Sequence, residues 1–206
     1  MGILYYILDP MCSWCYAFSK TWETLLEDLP SDVKVIYVYG GLAPHSSVDM
    51  PLEMQEMLQH TWKQIDKEVG TKFNYDFWTN CKPRRSTYLS CQAAISGRLQ
   101  GKEYEMVKAI QEQYYLNASN PSNRDILEKA ANNIGLDMEK FSKDLESEEV
   151  IALFDKDLNL RDKMKTYSFP SLVFKYKNNY FPIKIQYNNP QAIVEDIIDL
   201  NSNIYF

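Results

Sequence analysis

The chain is poor in the side chains on which most catalytic centres depend. Its 206 residues include two histidines, His45 and His60, and four cysteines, Cys12, Cys15, Cys81 and Cys91. Two histidines exclude a three-histidine metal site, and four cysteines in a chain this long are no disulfide scaffold. Basic charge is short as well. Lys+Arg 22 stand against Asp+Glu 28, a net charge of -6, which argues against a nucleic-acid partner held by counterion release. The apolar runs are strand-sized, well below the roughly 18 residues a membrane span needs, so no membrane partner is expected. Residues 1–8 carry no basic stretch and no small-residue cleavage site, and a cytoplasmic location is expected. In a reducing compartment four thiols point to redox chemistry, to metal binding or to simple burial.

What is present has a clear order. Residues 3–8 form an apolar run suited to a buried strand. Cys15, Phe18, Trp22, Leu25, Leu26 and Leu29 then recur at helical spacing until Pro30. Val33–Tyr39 reads as a second buried strand, closed by Gly40 and Gly41. This is a βαβ unit. Between about residues 45 and 165 the signals are helical. Met50, Met54, Met57, Leu58, Trp62, Ile65 and Val69 form one stripe. Tyr88, Cys91, Ile95 and Leu99 form another, and Val107, Ile110 and Tyr114 a third. Ser122 with Asp125 resembles a capping box, Asp137 and Ser147 are plausible N-caps, and Gly135 closes a helix.

Strand signals return at 172–174 and 180–185, with a turn at Lys177-Asn178-Asn179 and Pro182 marking an edge strand. A final helix begins at Asn189-Pro190 and turns Ile193, Val194, Ile197 and Ile198 inward. The two sheet-forming ends must meet, so residues 1–44 and 165–206 form one split α/β domain. Residues 45–164 are a helical insertion.

Cys12-Ser13-Trp14-Cys15 is the sharpest feature. A C-x-x-C is also half of a zinc site or a merely structural pair. Here it follows a strand and opens an amphipathic helix, the setting of a redox motif. Cysteines three apart on one turn share a face and reach disulfide geometry. Free N–H groups at the helix start favour a thiolate on Cys12, while Cys15 falls on the buried stripe and suits the resolving role.

With DPMCSWCYAF at 9–18, GGLAP at 40–44, FWTNCKPRRSTY at 77–88 and FPSLVF at 169–174, the chain resembles the DsbA-type thioredoxin-fold oxidoreductases, in particular their FrnE-like cytoplasmic branch. The resemblance implies a thioredoxin fold interrupted by an all-helical insertion, and a thiol–disulfide oxidoreductase or isomerase. Cys12 would attack, Cys15 would resolve, and Pro170 would be the proline that is cis in this fold and lies against the C-x-x-C. No resident cofactor or metal is implied. The expected partners are disulfide-containing proteins or small thiols, with glutathione as a possible co-substrate or a thioredoxin-type protein as reductant. Two departures stand out: Ser13-Trp14 replaces the Pro-His of periplasmic relatives, and Phe169 precedes the proline in place of Thr or Val. Without a histidine between the cysteines, a less oxidising couple than the periplasmic one is expected.

Trp14 and Phe169 are candidate apolar contacts for substrate. Arg84 and Arg85, placed at a helix N-terminus, oppose the helix dipole and suit either an acidic neighbour or an anion such as a glutathione carboxylate. The methionine stripe is either core or an adaptable groove. Cys91 reads as a buried apolar residue. Cys81 lies about 10 Å from it along a helix with about 1.5 Å rise per residue, too far for a bridge, and remains a candidate regulatory thiol. The rival functions are a glutathione-dependent isomerase or kappa-class-like glutathione transferase, and a non-catalytic holdase chaperone.

Overall fold

The first apolar run is large at every position from Ile3 to Leu8, so as a strand it sends apolar side chains to both faces and needs cover on each. A computed structural model describes residues 2–203. Strand β1 (Gly2–Leu8) lies between β2 (Val33–Tyr39), parallel to it, and β3 (Ser171–Tyr176), antiparallel to it. β4 (Asn179–Ile183) pairs with β3, giving the order β2-β1-β3-β4. The last strand therefore stops at Ile183, short of the 180–185 expected, and it is an edge strand as Pro182 requires.

Leu4, Tyr6 and Leu8 point to one face of the sheet. There they pack on Cys15, Phe18, Trp22 and Leu25 of α1 (Ser13–Asp28) and on Ile193, Val194 and Ile197 of α9 (Pro190–Asn203). Asn189 accepts from Ala192 N at 3.2 Å and so caps α9. Ile198 does not face inward as expected; it is 40% exposed, one position past the buried face on which Ile193, Val194 and Ile197 lie.

Helices occupy the stretch between the two halves of the sheet: α2 (Leu52–Val69), α3 (Phe77–Asn80), α4 (Tyr88–Arg98), α5 (Glu103–Tyr115), α6 (Arg124–Asn133), α7 (Met138–Asp144) and α8 (Glu148–Lys163). Asp137 and Ser147 cap α7 and α8 through Lys140 N and Val150 N. Ser122 and Asp125 do not form the expected capping box. Asn123 precedes α6, and the Ser122 hydroxyl donates to the Ser86 carbonyl at 2.8 Å instead. The stripes of α4 and α5 are buried and join the core of the sheet through Cys91, Ile95 and Val107. α8 reaches the opposite face, where Leu160 packs with Tyr5, Ile7, Val38 and Val173. Among the described residues no helix is long and apolar enough to cross a membrane.

One ionic junction ties the helices to the edge of the sheet. Arg98 donates to Glu103 at 2.7 Å, to Asp157 at 3.0 Å and to the Tyr37 carbonyl at 3.1 Å, while Asp157 accepts from Tyr39 N at 3.3 Å. Arg98→Met keeps the stem but strands two largely buried carboxylates. The cost of breaking a buried pair, reduced for the partial exposure of the arginine, is about 2–3 kcal/mol. Urea unfolding measures it, and a loss near zero would assign the junction no role in stability.

Candidate active site

Strand β1 ends at Leu8, and the residue after it shapes the turn into α1. Asp9 is fully buried. One carboxylate oxygen accepts from Met11 N at 2.8 Å, the other from Leu42 N at 2.7 Å and from the Thr87 hydroxyl at 2.6 Å. The Asp9 carbonyl accepts from Cys12 N at 3.0 Å. This side chain therefore joins the turn before α1, the loop after β2 and the start of α4. Burial pushes its carboxyl above the usual range, and the same hydrogen bonds pull it partly back.

The turn delivers Cys12 to the residue preceding α1 and Cys15 to its first turn. Cys12 is 8% exposed and Cys15 is 0%. All four cysteines carry free thiols. Burial holds the Cys15 thiol well above the ordinary range, and the neighbouring Cys12 sulfur adds to it. The Cys12 thiol donates to the Phe169 carbonyl at 3.4 Å, and the Phe169–Pro170 peptide bond is cis. Gly40 makes that approach possible, since a Cβ there would sit 2.1 Å from the Phe169 ring. Gly40→Ala should push the ring and its carbonyl away from Cys12. A slower reaction of Cys12 with a bulky disulfide reagent than with a small alkylating agent would register the change.

Cys12, Trp14 and Phe169 floor a groove of about 270 Å³. Met50, Met57 and Leu58 form one wall, and Arg84 and Arg85 stand on another. The methionine stripe of α2 thus divides. Trp62 and Ile65 are core, whereas Met57 is 52% exposed on the groove. Trp14 is half-buried, with its ring 5.1 Å from Tyr187. The arginines are not at a helix N-terminus. α4 begins three residues beyond Arg85, because Thr87 turns back to bond Asp9 and Ala43. Arg84 donates to the Ser122 carbonyl at 2.9 Å and to Asn123. Arg85 is half-buried on the groove and makes no ion pair among the described residues. Cys81 donates to the Ala118 carbonyl at 3.1 Å, and burial raises its thiol. Cys91 is fully buried and contacts Asp9 at 3.5 Å.

Reasoning from sequence missed Asp9, Trp62 and Tyr115. Trp62 Nε1 donates to Ser13 Oγ at 2.9 Å, and Tyr115 lies beside the motif, stacked on Tyr16. The one available signal was an isolated acid between the apolar strand and the first cysteine.

Comparison with known proteins places this geometry. A thioredoxin family model matches residues 5–196. The ClpXP adapter protein SpxH of Halalkalibacterium halodurans is 25% identical over 203 residues, covering 95% of this chain and 66% of that protein. SpxH of Bacillus subtilis is 23% identical over 175 residues, covering 83% of this chain and 57% of that one. The chain thus spans just under two thirds of the length of these relatives, or less. A structure from Nitrosomonas europaea, described as a candidate protein disulfide isomerase, superposes over 100% of this chain and 99% of its own with a TM-score of 0.86 at 22% identity. The cytosolic disulfide reductase DsbM of Pseudomonas aeruginosa superposes over 98% of both chains with a TM-score of 0.74 at 19% identity. A second structure of DsbM contains GSH. These likenesses establish a DsbA-like thioredoxin fold carrying a helical insertion.

Proposed function

Because the chain belongs to the thioredoxin family, we propose that it is a thiol–disulfide oxidoreductase working through Cys12 and Cys15. One observation carries the reading. The sulfur of Cys12 sits at the start of α1, 3.4 Å from the Phe169 carbonyl and on the floor of a groove, with Cys15 buried one turn behind it. The thiolate of Cys12 attacks a substrate disulfide, forms a mixed disulfide and releases one substrate thiol. Cys15 then gives up its proton and attacks the Cys12 sulfur. The second substrate thiol leaves, and the Cys12–Cys15 disulfide remains. Two electrons pass to the substrate and are returned by two thiols of a reductant, glutathione or a thioredoxin-type protein. The same steps in reverse oxidise a substrate dithiol.

The substrate classes follow from the groove. Trp14, Met57 and Phe169 offer apolar contact to an unfolded segment. Arg85, with no ion pair among the described residues, suits a carboxylate on a small thiol such as glutathione. A cytoplasmic site of action, suggested by the resemblance to DsbM, belongs to the same proposal.

The test is equilibration in graded glutathione buffers, with mass spectrometry locating the bridge. A reversible Cys12–Cys15 disulfide is expected, and its absence would remove the proposal. Transfer or isomerisation that needs glutathione and survives Cys15→Ser would instead favour a glutathione transferase or isomerase.

A second reading, as an adapter that presents a protein to ClpXP, draws on the names of the curated relatives. It is favoured by two exposed apolar side chains that flank the groove residue Met50 in sequence, Val48 at 71% and Leu52 at 75%. Undiminished client delivery by a Cys12→Ser/Cys15→Ser variant would establish it, and undiminished suppression of aggregation would mark a holdase.

A further inference from the structure

The helical insertion reaches the C-x-x-C from behind. Ser13 is buried, and its oxygen accepts from Trp62 Nε1 at 2.9 Å. Trp62 comes from α2 and Tyr115 from the end of α5, and both are fully buried. The Tyr115 ring lies flat on Tyr16, the residue after Cys15, with centroids 4.5 Å apart at 14°, and 5.6 Å from the Trp62 ring. Its hydroxyl is buried without a hydrogen-bond partner among the described residues. Buried hydroxyls are rarely left so, because the lost hydration is not replaced. A state of the molecule that places an acceptor within its reach would satisfy it.

The neighbours of that hydroxyl identify the state. Burial keeps the Tyr115 phenol neutral. Charge on Cys12 or Cys15 opposes its ionisation, and the Ser13 hydroxyl favours it. The phenol is therefore a donor, and its ring packs on Trp62, the partner of Ser13, and on Tyr16, next to Cys15. Trp62 N–H occupies one lone pair of Ser13. Should the two hydroxyls, unbonded to one another here, turn to share one hydrogen bond, one O–H proton remains over. With Cys12 as a thiol there is no use for it, since the thiol donates its own proton to the Phe169 carbonyl. Once Cys12 is a thiolate it can no longer donate to that carbonyl, and the sulfur becomes an acceptor.

We infer that the Ser13–Tyr115 hydroxyl pair, aligned by Trp62, donates its spare hydrogen bond to the Cys12 thiolate, so that the insertion sets the reactivity of the nucleophile. No proton changes owner in this step. The inference rests on the oxidoreductase reading only in taking Cys12 as the attacking thiol. With Tyr115 the insertion adds, from outside the motif, a donor that an imidazole between the cysteines would supply from within. Trp62 is a positioning residue, and the linked hydroxyls strengthen one another.

The experiment is alkylation of the fully reduced protein across pH, with mass spectrometry following Cys12. Tyr115→Phe keeps the ring and removes the donor. It should move the Cys12 profile to higher pH and slow alkylation at neutral pH by about tenfold, the effect of one hydrogen bond to a charged group. Ser13→Ala should do the same, Ser13→Thr should retain the original profile, and Trp62→Phe should shift it less. In glutathione buffers Tyr115→Phe should move the dithiol–disulfide equilibrium about tenfold toward the disulfide, roughly 30 mV. Phe73→Leu, which alters packing against Trp62 and Tyr115 but removes no polar group, should lower stability and leave the profile in place.

An unchanged profile in a folded Tyr115→Phe protein would overturn the inference, as would an equal shift in Phe73→Leu. A pair that fails to oxidise reversibly removes the oxidoreductase reading. The alkylation result is read on the reduced protein and still decides the role of Tyr115.

Discussion

Replacing Cys12 by Ser should abolish disulfide exchange, with turnover falling by more than ~10³-fold. A serine hydroxyl at neutral pH is not the charged sulfur nucleophile that the first step needs. Cys15→Ser should behave differently. The attacking sulfur remains, so the first step proceeds and the mixed disulfide accumulates, because Cys15 is the thiol buried directly behind it. Incubation with a disulfide substrate followed by non-reducing electrophoresis and mass spectrometry separates the two. Cys12→Ser should give no adduct, and Cys15→Ser one adduct on Cys12. Equal adduct formation at Cys81 in the Cys12→Ser protein would transfer the nucleophile to that half-buried thiol. Burial works against this by holding the Cys81 thiol in its neutral form.

The largest stability effect is expected at Asp9. Asp9→Ala strands Met11 N, Leu42 N and the Thr87 hydroxyl. At about 1–3 kcal/mol for each buried group left unsatisfied, the loss is roughly 3–6 kcal/mol. Urea unfolding at neutral pH measures it, and a loss below about 1 kcal/mol would mean that water replaces the carboxylate. The pH dependence has a definite sign. The folded-state value is raised, chiefly by burial, so the native protein keeps this proton to higher pH than the unfolded chain does. Its contribution is fully present below the unfolded value of about 3.9 and is lost as pH rises through the folded value. The stability advantage of the natural protein over Asp9→Asn should therefore shrink as pH rises through the acid range. An advantage that grows with pH would contradict the burial argument.

Strand and helix order was legible because each element carries its own local signal: the continuous apolar run of β1, the Cys15–Leu29 stripe of α1, and Pro182 at the edge. The C-x-x-C was legible because its chemistry is local. Contacts made by the insertion were not. Trp62 lies on an apolar stripe, and Tyr115 stands one place past the Val107–Tyr114 stripe and carried no reading of its own. Only the path of α2 past α1 turns an indole N–H toward Ser13, and only the end of α5 brings the Tyr115 ring onto Tyr16. Asp9 before Pro10 reads as an ordinary turn residue, since its partners lie 33 and 78 positions away. Arg84 and Arg85 were displaced from the expected helix start for the same reason, Thr87 being held by a carboxylate far off in the chain.

The middle of the sheet has a consequence for how the protein comes into being. β1 pairs with β3, joining Ile3 to Lys175 and Ile7 to Ser171, so its second edge stays open until the late part of the chain has left the ribosome. Contacts this distant in sequence must overcome a large loop-closure entropy before they return any stability. The Phe169 carbonyl facing Cys12 belongs to that same late segment. A nascent chain can therefore form its helices early while Cys12 and Cys15 stand without the partner strand and groove that shape their chemistry. Reactivity therefore arrives together with the closing of the sheet.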